Sequence, residues 1–555
     1  MKKIQLSILA LMAFLFTSLQ TSAADIEVTD NGSGTGTTTW TSDNVYILNG
    51  LVFVNSGQTL TIQPGTVIKG KPGTGAEASA LVVARGGVVE AAGTAQSPII
   101  FTFEADPLDG SVPYSTRGQW GGLIVLGNAQ LNSTPGETQI EGIPDTEPRG
   151  LYGGDDDEDN SGTLSYISIR HGGTDIGAGN EINGLTLGGV GSQTVIDYVE
   201  VVSNADDGIE LFGGTAQVKH AVTAFCGDDT FDYDEGWRGK GQFWFSLHDD
   251  SDGGTGDRGG EHDGGTDPED GAPYAHPVIY NSTFMGRGVD AGRRALTFRD
   301  NAAGEYHNSI FYNWGRGIDV ENLASGEDSY ERFVDGDLQL AGNCFYNVVE
   351  EGNNVAASDI FKISMGSGWA SEADSIAALE ASSTAFVASF AANNNEVADP
   401  GLDYNIAEGS ASLNAKPTND VSGATASNDS WYDAVTYKGA FDPAGDCTWL
   451  LGWTFIDSRG FLGCTTNVDE IAQNQFSTSV YPNPNNGQFT VLSESDLNQG
   501  EIRIYNGSGQ LITAETGITI MKGQSLNISE NLSPGIYFMI LSDGSKVSNS
   551  TFIVK

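Results

Sequence analysis

The sequence predicts an all-β chain: a long solenoid of stacked parallel strands followed by a small β-sandwich. Two observations predict it. Short strand-like runs return at a near-constant interval through most of the chain, and after residue 478 they give way to longer alternating strands joined by Asn/Gly turns. No helical period appears among the short runs of residues 45–103.

The interval is explicit in the middle of the chain. NGLTL begins at Asn183, DGIEL at Asp207, DTFDY at Asp229, RALTF at Arg294 and RGIDV at Arg316, giving offsets of 24, 22, 65 and 22 residues. The 65-residue gap holds about three coils, or fewer coils and an Asp/Gly-rich insertion at 248–276. One coil cannot bury its own apolar face, so neighbours must stack, about 4.8 Å apart. In DGIEL, Ile209 and Leu211 are expected in the core and Glu210 outside. Upstream, VYILNGLVFV, QTLTIQPGTVIKG, ALVVARGGVVEAAG and PIIFTF fill residues 45–103, and WGGLIVLGNAQL follows at 120–131. Each is a short apolar or alternating run broken by Gly, Asn or Pro.

The chain carries 26 Lys and Arg against 73 Asp and Glu, a net charge of −47. That balance argues against nucleic acid, whose phosphates need clustered cations, and against anionic lipid. It suits a soluble extracellular protein and oxygen-rich calcium sites. Lys2 and Lys3, the apolar run Ile4–Leu19 and the small residues Ala23 and Ala24 read as an export signal over residues 1–23. No later stretch has the length and apolarity of a transmembrane segment. Of the four cysteines, Cys447 and Cys464 are the favoured disulfide, while pairing of Cys226 with Cys344 stays open.

The phrases QTLTIQPGTVIKG, ALVVARGGVVEAAGTAQSPIIFTF and RGQWGGLIVLGNA resemble the secreted right-handed parallel β-helix proteins of Bacteroidetes, over roughly residues 40–464. The resemblance implies the fold and leaves function open, since this fold carries both enzymes and adhesins. YPNPNNGQFTV, followed by IYNGSGQ and PGIYFMI, resembles the type A sorting domain of the type IX secretion system. That implies passage through the type IX machinery, with release or attachment at the outer cell surface. The expected organisation is a signal peptide at 1–23, a β-helix body at 24–464, a linker at 465–477 and the sorting domain at 478–555. Within the body, 371–392 reads as a helical insertion capped by Ser371, with Ile376, Leu379, Phe386 and Phe390 on one face, either packed on the solenoid or closing over a groove. WLLGWTFIDSRGFLGC, 449–464, reads as the body's last strands.

The candidate chemistry is acidic. An offset of 22 residues stacks Asp206 near Asp228, Asp207 near Asp229, and Glu210 near Asp232. Like charges one strand apart repel unless a cation or a proton is shared. Three readings stay open: a calcium site, a carboxylate pair doing acid–base work on a sugar, and turn residues capping backbone amides. Asp157, Asp159 and Ser161 have the D-x-D-x-S-G spacing of half a calcium loop, although Ser168 stands where the closing Glu belongs. His248, His262 and His276 near the Asp/Gly-rich insertion offer nitrogen for zinc, without a compact zinc spacing.

Polygalacturonase-like enzymes carry Gly-His-Gly and Arg-x-Lys; the nearest string here is Arg170-His171-Gly172-Gly173. Pectate-lyase-like enzymes pair calcium carboxylates with a basic residue, for which Arg293, Arg294 and Arg299 are available. Trp237, Phe243, Trp244, Phe245 and Trp314 are available to stack on sugar rings. The expected function is a secreted or surface β-helix that binds polysaccharide or cell-surface glycan, with calcium tying acidic turns. The alternatives are a polysaccharide lyase or glycoside hydrolase acting through Asp207, Asp229, Asp232 and Arg294, and a purely structural surface component.

Overall fold

The computed structural model describes residues 24–175, 182–248, 256–266, 268–406, 412–421, 427–464, 478–493, 495–506, 511–530, 532–533, 535–542 and 547–555. The expected signal peptide and linker lie outside them. The chain divides into two compact units, Met1–Gly463 and Cys464–Lys555.

The first unit is the predicted solenoid. One face is a ten-stranded sheet whose order follows the chain, from Leu51–Val54 through Leu185–Gly188, Ile209–Phe212 and Phe231–Asp234 to Arg316–Asn322 and Phe361–Met365. All its described pairings are parallel, and the register sets Leu185 beside Ile209, Ile209 beside Phe231, and Glu210 beside Asp232. Ile209, Leu211, Phe231 and Tyr233 point into the core. Each such side chain contributes about 1.5–3 kcal/mol by leaving water.

The 65-residue gap is two coils. Its hidden strand is Arg258–Asp263, inside the stretch expected to be an insertion. Tyr233 pairs with His262 and His262 with Phe298, steps of 29 and 36 residues. RGGEHD alternates like its neighbours, but flanking glycines and aspartates mask the period.

The rest of the coil forms a nineteen-stranded sheet. Its long strands bend midway at Tyr166, Tyr198 and His220, which take φ of 48°, 57° and 48°. Left-handed backbone is unfavourable for such bulky residues. Here the rings stack in compensation, Tyr166 on Tyr198 at 4.3 Å and Tyr198 on His220 at 4.1 Å. Two coils later the same kind of corner is held by Asn281 and Asn308, a residue type that accepts this conformation readily.

The helix Glu372–Ala392 starts at the predicted cap, Ser371, whose hydroxyl accepts from the Asp374 amide at 3.2 Å. Only its second half packs. Phe386 stacks on Phe361 at 4.5 Å and Phe390 lies against Phe345 at 5.5 Å, whereas Ile376 and Leu379 are exposed. The helix therefore covers the last strand of the ten-stranded sheet and protects an otherwise open edge. By length and hydropathy it would also pass as a membrane span, although most of it is exposed and Phe386 and Phe390 pin its second half to the solenoid. Phe386→Ala is expected to cost about 3–5 kcal/mol in chemical denaturation; a loss below ~1 kcal/mol would show that the helix is not a stabilising cap.

The segment expected to supply the last strands does something else. The Tyr404 hydroxyl bonds to the Gly286 carbonyl, and residues 439–461 return along the solenoid in reverse order. The Gly439 amide donates to Asn308 O at 2.7 Å, and Phe441 meets Phe245. Further back, Trp449 packs edge-on against His220 and Trp453 against Tyr166, and Arg459 donates to Val112 O. A short helix, Phe455–Ser458, replaces the expected strand. Beneath this strap Glu200, fully buried, accepts from the Phe455 amide at 2.9 and 2.8 Å and from the Ser168 hydroxyl at 2.5 Å.

Cys447 and Cys464 are disulfide-bonded, and Cys226 and Cys344 are buried thiols outside any disulfide. In the second unit, two antiparallel sheets of three and four strands share one apolar cluster, with Phe489 and Val491 from one and Ile504, Met539 and Phe552 from the other.

Candidate functional site: a carboxylate groove

The acidic turns and outward strand positions of the ten-stranded sheet form one continuous row of carboxylates. Strand register decides which carboxylates meet. Asp207, Glu210 and Asp232 come together, each offering an oxygen within 4.8 Å of the others. Asp206, Asp207 and Asp228 form a second such group, and Asp228, Asp229 and Asp257 a third. The groups share members, so the array runs across three successive coils.

The surroundings differ along the groove. At Asp207, Glu210 and Asp232 no basic side chain forms an ion pair among the described residues. Glu210 instead accepts from the Asn183 amide, which also donates to Glu141 at 2.8 Å. Asp207 accepts from the Asp229 amide at 2.8 Å. Further along, Arg258 reaches Asp229, Asp257 and Glu261 at 3.2, 3.2 and 3.1 Å, and Arg299 clasps Asp263 at 2.7 and 3.0 Å. Asp229, expected as a metal ligand, thus has an internal cation beside it. The best-formed cation position is the unpaired trio Asp207, Glu210 and Asp232, with Asp206 and Asp228 beside it.

Electrostatics agree. Burial, reinforced by neighbouring carboxylates, holds the pKa values of Asp207, Glu210 and Asp232 well above the ordinary carboxylate range. Burial pushes Asp229 up to about 8 even though Arg258 opposes it, and Asp234 up to about 7. Such groups bind protons or a cation near neutral pH. Oxygen-only donors in this number suit a hard cation such as calcium.

Other expected residues are not brought here. Asp157 is held by Arg238 at 3.0 Å and takes the Gln130 amide. Asp159 accepts from Asn128 and from the Ser161 hydroxyl. The half-loop's carboxylates are thus taken up by hydrogen bonds and an ion pair with protein groups. Arg294 pairs with Asp319 at 3.2 Å, and the strand Arg258–Asp263 separates it from Asp232. The three histidines are apart: His262 bonds the Tyr306 hydroxyl in the core, His248 packs edge-on to Trp314, and His276 faces Glu305. Trp237, Phe243, Trp244, Phe245 and Trp314 are buried and present no ring for a sugar.

Sequence reasoning missed Arg258, Glu261, Glu141 and Asn183. The first two sit in the masked coil, where the alternation of RGGEHD is the available signal. Asn183 precedes the repeat at the equivalent position to Asp207 and was readable from the same offset.

Comparison with known proteins bears on this architecture. Residues 32–395 match the family described as pectate-lyase like beta helix domain, and residues 479–555 match a secretion system C-terminal sorting domain. No curated protein matches. Among solved structures, full-length tailspike protein 2 from Escherichia coli O157:H7 bacteriophage CAB120 aligns at 9% identity and a TM-score of 0.15. The alignment covers 92% of this chain and 59% of the tailspike. The sorting domain marks the chain for type IX export to the cell surface or the extracellular space.

Proposed function

Because the chain belongs to the family of pectate-lyase-like β-helix domains and ends in a sorting domain for export, we propose that it is an extracellular glycan-binding scaffold whose carboxylate groove holds calcium. The observation that carries this reading is the convergence of Asp207, Glu210 and Asp232 without a basic partner. Two or three buried carboxylates this close are stable only when protons or a cation sit among them. A bound calcium ion keeps open coordination positions that hydroxyl or carboxylate oxygens of a polysaccharide can fill. Arg299, part exposed at the groove's edge, adds a donor for an acidic sugar.

The test is a glycan array probed with the exported chain in calcium and again in EDTA. Calcium-dependent retention of acidic polysaccharide, lost in Asp232→Asn, is the expected result. Retention identical in EDTA would remove calcium from the reading, and no retention of any glycan would end it.

A hydrolytic or lytic use of the same groove has one specific observation behind it. The carboxylate oxygens lie within 4.8 Å of one another, near the ~5–5.5 Å separation of retaining glycosidases, and Asp229 holds its proton near neutral pH. Release of reducing ends or unsaturated uronates from a retained polysaccharide would decide for it.

A further inference from the structure

The ten-stranded sheet changes sign beyond the carboxylate row. Register sets Arg258 beside Arg294 and Arg294 beside Arg316, and the next strand brings Lys362 beside Asp319. Arg294, Arg316 and Lys362 thus stand on three successive coils, and all three line a cavity of about 270 Å³. In a chain of net charge −47, three cations around one cavity need a reason.

The cations are not cancelled in place. Arg258, nearer the row, is engaged by three carboxylates. Arg294 has one, Asp319 at 3.2 Å, and Asp319 also takes the Ser364 hydroxyl. Lys362 has Asp359 at 3.4 Å, an exposed pair of the kind that contributes little. Arg316 is exposed and forms no ion pair among the described residues. Neighbouring strands lie ~4.8 Å apart, and like charges directly opposite one another repel. Burial disfavours the charge on Arg294, Asp319 supports it, and Arg316 works against it. All three side chains are open to a ligand: those of Arg294 and Lys362 are 23% and 54% exposed, and Arg316 is exposed as well.

Charge and shape select the ligand. Three cations against Asp319 and Asp359 leave one positive charge, the complement of a monoanion. A phosphate monoester carries about −1.5 to −2 near neutral pH and overfills it. A carboxylate has the right charge, but its two oxygens lie in one plane and suit a single guanidinium fork. A sulfate ester spreads one charge over three terminal oxygens, one for each cationic group. The volume is below the roughly 300–1,000 Å³ of sites that enclose whole small molecules, so the cavity admits a substituent and leaves its carrier outside.

We propose that this cavity holds the sulfate ester of a sugar, its three terminal oxygens accepting from Arg294, Arg316 and Lys362. The inference rests on the glycan-binding reading only for the sugar that carries the ester. Calcium takes no part.

The test uses the exported chain in EDTA, so that the carboxylate row holds no metal. Calorimetric titration compares a methyl hexoside sulfate with the unsulfated hexoside, a methyl hexuronide, a hexose phosphate and inorganic sulfate. The sulfate ester is expected to bind at least about tenfold more tightly than each of the others. Arg316→Gln, at an exposed position, should weaken it about tenfold or more, and Lys362→Gln should do likewise. Asp232→Asn, in the carboxylate row, should leave it unchanged. Absence of ester binding at millimolar concentration overturns the proposal. So does a uronide, phosphate or bare sulfate that matches the ester, and so does an affinity that neither substitution moves. Ester binding in EDTA, with no calcium-dependent retention on the array, would leave this site standing without the calcium scaffold. Calcium-dependent retention without ester binding would do the reverse.

Discussion

In EDTA the protein is expected to melt at a higher temperature at pH 5 than at pH 8.5, and millimolar calcium at pH 8.5 should restore the difference. The sign follows from the groove. Asp229 and Asp234, at about 8 and about 7, and Asp207, Glu210 and Asp232, also raised, all hold protons that the unfolded chain releases near pH 4. The folded state binds more protons, so stability falls as pH rises from about 4 to about 8. Calcium substitutes for those protons. At a hundredfold excess over its dissociation constant, it stabilises by about 2.7 kcal/mol, a rise of roughly 3–5 °C for a chain of this size. Asp207→Asn with Asp232→Asn should abolish the calcium response, and Asp157→Asn should leave it intact. Equal melting temperatures in calcium and EDTA at pH 8.5 would sink the metal site.

A large single-residue effect is expected at Glu200. Its carboxylate accepts two bonds from the Phe455 amide and one from Ser168, and it stands beside the buried guanidinium of Arg170. Burial raises the pKa of Glu200 and lowers that of Arg170, and each offsets part of the other's cost. Glu200→Ala leaves Arg170 uncompensated and releases the strap, at about 3–5 kcal/mol. Glu200→Gln keeps the shape and one acceptor, and should cost about 1–3 kcal/mol. Denaturant titration of both variants checks the order. An alanine variant within ~1 kcal/mol of the parent would mean that the strap is held by its aromatic contacts alone.

Legibility of the fold from sequence depended on local periodicity. The 22-residue offset between DGIEL and DTFDY put Glu210 beside Asp232, and the structure has that register. The coil at Arg258–Asp263 was hidden because its turns are long and rich in Gly and Asp, so the interval stretched to 29 and 36 residues. The strap was misread for a different reason. WLLGWTFIDSRGFLGC is a continuous apolar run, and such a run has no period to tell a core strand from an irregular segment lying on a core. In the cap helix the cap residue is a local signal and was legible. Which turns would find a partner is a long-range matter, and Ile376 and Leu379 found none. At the groove, position was readable, but the intrusion of Arg258 beside Asp229 was not, because it came from the hidden coil.

The return strap changes how such a repeat should come apart. A stack in which each coil touches only its neighbours resembles a one-dimensional chain of weakly coupled segments, able to fray from either end with the middle intact. Residues 439–461 join the coil of Asn308 to that of Val112 through contacts at nearly every coil between. Loss of a coil at either end of the strap therefore loosens it, and a loosened strap exposes the aromatic corner of the coils in the middle. Partial opening is penalised along the strapped coils, and a protease outside the cell meets a middle that opens as a unit.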